Sequence, residues 1–391
     1  MARPRLHAPP KQPVTFVELF FDLVFVFAVT QVTVLTAHHL DVGGVARSLM
    51  LFWLIWWAWT QFTWTLNPAD TQHPLVQVCT LVATSAAFVM AASVPRAFED
   101  DPMWFAVPYV VIRSVGMALQ VSVDRERDPD QVGISMQWVA ISTIGLVAVL
   151  AGALVETPAR NWVWVGAIVL DLLAAATASR DAIWHLDPRH FSERHGLFVI
   201  IALGESLIVA GTAVASDDRT ADLVLVAGAS LLVACLLWWS YFGWLKEALE
   251  QALVAADAAQ LGALARDAFS LIHFPLICGI IAFAVAVEEI MLHPDKAADG
   301  AVVTSLAVGV GLFVGASAFA YWRVSRRVLV GRLAILAVTV GGVVVAARAE
   351  PIWPLGVVAA GLFAIVATEG RGLGEPDRDA SGGWGGRSGV N

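Results

Sequence analysis

Long runs of Val, Leu, Ile, Phe, Ala and Trp alternate with short polar stretches along the chain. The runs fall near residues 16–38, 45–65, 75–95, 103–123, 134–155, 161–179, 194–215, 222–244, 270–292, 301–321, 329–348 and 351–369. Each comes close to the roughly 20 residues that a helix needs to cross a hydrocarbon core. The pattern predicts an all-α fold, a polytopic transmembrane bundle of about 12 spans. The least marked boundary is the one between the last two runs, at ARAEPIWP. A short segment, 1–15, precedes the first run. A Gly-, Ser- and Asp-rich tail, 371–391, follows the last and is expected to be disordered.

Composition supports this reading. Of 391 residues, 58% are hydrophobic and 15% charged, against about 25% charged in soluble domains. The lipid bilayer is therefore the expected partner. The net charge of −9 is spread over short loops and argues against nucleic acid. Cys79, Cys235 and Cys278 each sit in an apolar run, with no spacing that suggests a disulfide framework or a zinc site. The chain has no nucleotide-binding Gly loop, no haem signature and no nucleophile–base arrangement with supporting context, so neither a cofactor nor an enzymatic reaction is expected. With the N-terminus inside, 17 Lys and Arg residues fall in inner segments and six in outer loops, and Arg113 lies within a span. That asymmetry predicts cytoplasmic termini.

The segments also repeat. FVELFFDLVFVFAVTQ at Phe16 overlays FSERHGLFVIIALGES at Phe191, and LIWWAWTQF at Leu54 overlays LLWWSYFGW at Leu236. His73-Pro74-Leu75 matches His273-Phe274-Pro275-Leu276, each at the head of a span. Two six-span repeats, 16–180 and 181–370, are expected in parallel orientation about an axis along the membrane normal.

Intramembrane acids are expensive, which makes them the candidate chemistry. Glu18 and Asp22 lie four residues apart on one face of the first span, together with Thr33 and Thr36. They read either as an ion or proton site or as a structural anchor, with Glu18 at the interface. Glu193 stands opposite Glu18 in the overlay and Leu197 opposite Asp22, so the chemical expectation rests on Asp22. Glu205 lies about 16 Å into the seventh span, shares a face with Thr212 and Ser216, and overlays Thr30. Arg113 and Asp171 lie within the fourth and sixth spans; Arg113 is expected to pair with Asp22, Asp171 or Glu205. His190, Glu193 and His195 read as an interfacial motif at the start of the seventh span, with Ser192 as its cap, and His273 reads as a second helix-start residue. Their spacing fits no metal motif.

ELFFDLVFVFAVTQ, HFSERHGLFVIIALGESLIVAG, WWSYF and HFPLICGIIAFAVAVEE resemble the bacterial low temperature requirement A family. The resemblance implies a multi-pass protein of the bacterial inner membrane that is needed for growth in the cold, and it implies no specific biochemical activity. Phe20-Phe21-Asp22-Leu23-Val24-Phe25 is also similar to the first-helix signature of a group of bacterial and lysosomal potassium channels, with Phe21 where that signature has Ser. That similarity implies a structural network around Asp22. Taken together, the sequence points to a transporter or channel for a cation, proton or small solute. The alternatives are a non-transporting membrane factor and an intramembrane lipid-modifying enzyme using His190, Glu193 and His195. Oligomeric state is open.

Overall fold

The computed structural model describes residues 5–9, 12–99, 101–181, 186–215, 220–294 and 296–372. The expected disordered tail lies outside the described residues from 373 onward. Regular structure among the described residues is helical, apart from an isolated bridge between His7 and Ala69. In chain order the helices are α1 (Phe16–His38), α2 (Val42–Leu66), α3 (Pro74–Ala92), α4 (Pro102–Arg127), α5 (Val132–Ala153), α6 (Ala159–Asp181) and α7 (Pro188–Ala215). They continue as α8 (Ala221–Phe242), α9 (Leu245–Val254), α10 (Ala258–Ala265), α11 (His273–Leu292), α12 (Gly300–Ser325), α13 (Val330–Val345) and α14 (Ile352–Gly372). A π-helical turn, Arg266–Leu271, joins α10 to α11.

Among the described residues, 11 helical segments are long and apolar enough to cross a membrane. The remaining expected span, 329–348, contains α13, an apolar helix of 16 residues. Left-handed backbone at Arg326 and Arg348 marks the turns on either side of it. Two elements outside the expected spans are α9 and α10. In α9, Leu245, Leu249 and Leu253 form a buried stripe while Lys246 pairs with Glu250 on the other side, so this helix is amphipathic.

The caps follow local chemistry. Glu18 accepts from the Thr15 backbone N–H and hydroxyl at the start of α1. Asp41 caps α2, and the Gly44 and Gly43 N–H groups hold its carboxyl below the ordinary range. Asp299 caps α12 through Val302. The N-terminal segment is anchored to the bundle: Ala8 N–H donates to Pro68 O, and Gln12 to Ala69 O.

α1 packs against α2, α3, α7 and α11. Neighbour relations recur along the chain. α1 packs on α3 and α7 on α11; α3 packs on α4 and α11 on α12; α5 packs on α6 and α13 on α14. The α2–α6 contact likewise has a counterpart in α8–α14. Solvation is inverted relative to a soluble protein. Phe20, Leu23, Phe88, Val147, Leu231 and Phe363 are exposed, whereas Glu18, Asp22, Arg113, Asp171, Arg194, Glu205 and Arg332 are buried. Outward apolar faces around a polar interior suit a bilayer. The two tryptophan pairs divide: Trp56 and Trp57 are buried, Trp238 and Trp239 exposed.

α11 and α12 approach backbone to backbone. A Cβ on Gly279 would stand 2.6 Å from Phe313 N and 2.7 Å from Gly309 O. Such small-residue contacts let helices gain van der Waals energy that lipid cannot supply. Gly279→Ala is therefore expected to lower stability by about 1–3 kcal/mol. Gly311→Ala, at a position with open space, should stay within about 0.5 kcal/mol of the parent. Thermal unfolding of the two variants in detergent checks the difference.

Candidate functional site

The start of α7 sets the site. Asp187 accepts from the backbone N–H groups of Arg189 and His190, and Pro188 occupies the first helical position. The helix thus begins four residues before Ser192, which is buried rather than acting as the cap. This earlier start carries His190 and Arg194, one turn apart, onto the face that meets α1.

Arg194 is fully buried and forks across both acids of α1. Its Nη1 donates to Glu18 Oε1 at 2.8 Å and its Nη2 to Asp22 Oδ1 at 2.6 Å. Trp59 of α2 donates its indole N–H to the same Asp22 oxygen at 2.7 Å. His190 Nε2 lies 3.1 Å from Glu18 Oε1. Asn67 accepts from Asp187 N–H through Oδ1, which turns its Nδ2 toward His190 Nδ1 at 3.2 Å. In that arrangement Nδ1 accepts, and the His190 proton sits on Nε2, facing Glu18. Two carboxylates therefore meet one guanidinium, with the His190 ring beside Glu18. Asp22 Oδ2 has no hydrogen-bond partner among the described residues.

These positions correct several expectations. Glu18 is fully buried within the protein, whereas its overlay partner Glu193 is exposed. Arg194, one of the 17 basic residues counted in inner segments, is buried in the core. His190, His195 and His273 are all buried within the protein. His195 Nδ1 contacts Phe191 O, and its ring lies among Trp59, Phe269 and His273. His273 bonds Ala268 O through Nδ1, in keeping with a helix-start role, and Tyr241 Oη through Nε2 at 2.7 Å. His190, Glu193 and His195 therefore do not converge on one point.

Of the three partners open to Arg113, Asp171 is the one it takes. The pair is bidentate, at 2.9 and 3.1 Å, and Tyr109 Oη joins it at 2.9 Å from the guanidinium. Glu205 stands apart. It is 2% exposed, accepts from the Thr30 hydroxyl across the α1–α7 contact, and has no Lys, Arg or His ion pair among the described residues. Glu288 of α11 is close enough for its charge to act on Glu205, and its Oε2 is buried without a partner. Thr212, expected on the Glu205 stripe, is exposed, and Ser216 lies outside the described residues.

Sequence reasoning passed over Arg194, Trp59, Tyr241 and the proximity of Glu288 to Glu205. One signal for Arg194 was available: with Asp187-Pro188 as the helix start, it falls one turn after His190.

An uncharacterized protein of Rhizobium meliloti (strain 1021) is 30% identical over 289 residues, covering 72% of this chain and 70% of that protein. No solved structure matches the chain. The family described as bacterial low temperature requirement A protein matches residues 13–367. Both halves of the bundle and every acid of the candidate site fall inside that match, and the chain belongs to the bacterial low temperature requirement A family.

Proposed function

We propose that this protein is a transporter or channel of the bacterial inner membrane that moves a proton or small cation, alone or coupled to a small solute. The observation that carries the reading is Glu205, a buried carboxyl bonded by the Thr30 hydroxyl and without a cationic partner among the described residues. Glu18 and Asp22, by contrast, meet Arg194, and Asp171 meets Arg113. In low dielectric an acid without a counter-charge needs a proton or a cation to balance it. Asp22 is paired with Arg194 through one oxygen, and its other oxygen, Oδ2, has no hydrogen-bond partner among the described residues. It lies about 12 Å from the level of Thr30 along α1, and Phe25 and Val29 fill the interval.

Two parallel six-helix repeats with both termini cytoplasmic fit this reading. The recurring helix neighbours support the repeats, and so does the Thr30–Glu205 bond. Those residues are 175 positions apart, the same offset at which Phe16 overlays Phe191. Equivalent residues touch where a two-fold axis passes between their helices. The proposed ion site would then lie beside that axis.

Proteoliposomes test the reading, with a pH-sensitive dye inside and a panel of cations and solutes outside. Wild-type flux is expected above that of empty vesicles. Glu205→Gln should remove most of it, a fall of about tenfold or more, while the variant still purifies as a folded protein. Flux that matches empty vesicles, or that survives in both Glu205→Gln and Asp22→Asn, rejects the proposal. A second reading is a non-transporting membrane factor for growth in the cold, favoured by the direct pairing of Glu18, Asp22 and Arg194. It requires that Glu205→Gln complement cold growth fully.

A further inference from the structure

Thr30 has more acceptors within reach than hydrogens to give them. Its Oγ1 lies within bonding distance of Glu205 Oε2 on α7 and of Val26 O on its own helix, the latter at 3.3 Å. A hydroxyl carries one hydrogen and two lone pairs, so Thr30 serves one acceptor at a time. When it donates to Glu205, Val26 O keeps its backbone helix bond alone. When it turns to Val26 O, the four-residue back-bond open to Thr in a helix, a lone pair faces Glu205 and calls for a donor there. A carboxylate has no hydrogen to offer, whereas a carboxylic acid has one.

The surroundings suit a proton better than a metal ion. α1, α2, α8, α9 and α11 pack on α7. Among the described residues, the charge that reaches Glu205 is that of Glu288 on α11, and it is negative. Glu288 in turn senses His38, at the end of α1. Ser206, next to Glu205 in the chain, spends its hydroxyl on Leu203 O. A hard metal cation gathers about six or more oxygen ligands, and no three His, Cys, Asp or Glu side chains stand together for one among the described residues. A proton asks only for one carboxyl oxygen and one acceptor, and Thr30 supplies the acceptor.

We propose that the ion at this site is a proton: Glu205 takes it up at Oε2 and donates it to Thr30 Oγ1, whose own hydrogen swings to Val26 O. Release reverses both moves, so α1 and α7 stay bonded in either state. The proposal rests on the reading of Glu205 as the ion site and names what that site carries.

Difference infrared spectroscopy of the full-length protein in liposomes tests it, because a carboxylic acid and a carboxylate absorb at separate positions. Lowering the pH in potassium buffer is expected to raise a carboxylic-acid band that Glu205→Gln lacks. Thr30→Val should keep the band but shift it, since the acid then loses its acceptor. If Glu205→Gln fails to fold, the shift in Thr30→Val carries the assignment. Sodium or lithium in place of potassium should leave the band unchanged at constant pH. No band assignable to Glu205 from alkaline to mildly acidic pH, an unshifted band in Thr30→Val, or loss of the band to sodium or lithium overturns the proposal. The spectrum needs no flux, so the two readings fail separately. The band without flux supports the proton site and rejects transport; flux without the band rejects the proton and leaves transport standing.

Discussion

Replacing Arg194 with Leu is expected to abolish most folded protein. The change leaves Glu18 and Asp22 buried, four residues apart on one helix and without their shared counter-charge. Truncating one partner of a buried ion pair costs about 3–5 kcal/mol, because the other charge stays behind without compensation. Here two carboxylates stay behind, and like charges at this spacing also repel. The triple variant Glu18→Gln/Asp22→Leu/Arg194→Leu removes the charges together and is expected to recover much of the loss. Size-exclusion profiles and thermal unfolding in detergent distinguish the two variants. A single Arg194→Leu variant as stable as the parent would show that the cluster does not hold α1 to α7.

The second large effect lies between α4 and α6. Arg113→Met should cost about 3–5 kcal/mol, since Asp171 then keeps only the Tyr109 hydroxyl. Arg113→Met/Asp171→Leu should return close to parental stability, as hydrophobic replacements of buried pairs often do. The cycle also separates structure from transport. If the pair is only a tie between helices, the double variant that folds should retain flux, whereas Glu205→Gln should not.

The span pattern was legible because lipid-facing helices write their length directly in apolar residues. Hydropathy alone placed the ends of α1, α4 and α12 within a few residues. It passed over α9 because that helix is apolar on one face only; Leu245, Leu249 and Leu253 carry the helical period without a continuous run. The start of α7 was misplaced for a similar reason. Its first turns are polar, so the apolar run suggested a late cap, whereas Asp187-Pro188 is the local signal that decides.

The site was only partly legible. Residue type identified Asp22, Glu205, Arg113 and Asp171 as costly groups in a membrane, and three of the four proved to have arginine or guanidinium–carboxylate partners. Which acid meets which arginine is set by helix packing across 58 residues for Arg113–Asp171 and 172 for Arg194–Asp22. No local spacing encodes that. The contrast between Asp22 and Glu205 therefore emerged only from tertiary contacts, and it transfers the main chemical interest from the first helix to the seventh.

The Arg194 fork has a consequence for biogenesis. Glu18 and Asp22 leave the ribosome more than 170 residues before the guanidinium that neutralises them. At about 5–20 residues per second of synthesis, α1 waits on the order of ten seconds or longer with both acids uncompensated. Acids within a span oppose insertion, and the Phe- and Val-rich remainder of α1 offsets them. The contact that ties α1 to α7 through Arg194 is therefore completed only after seven helices have been made.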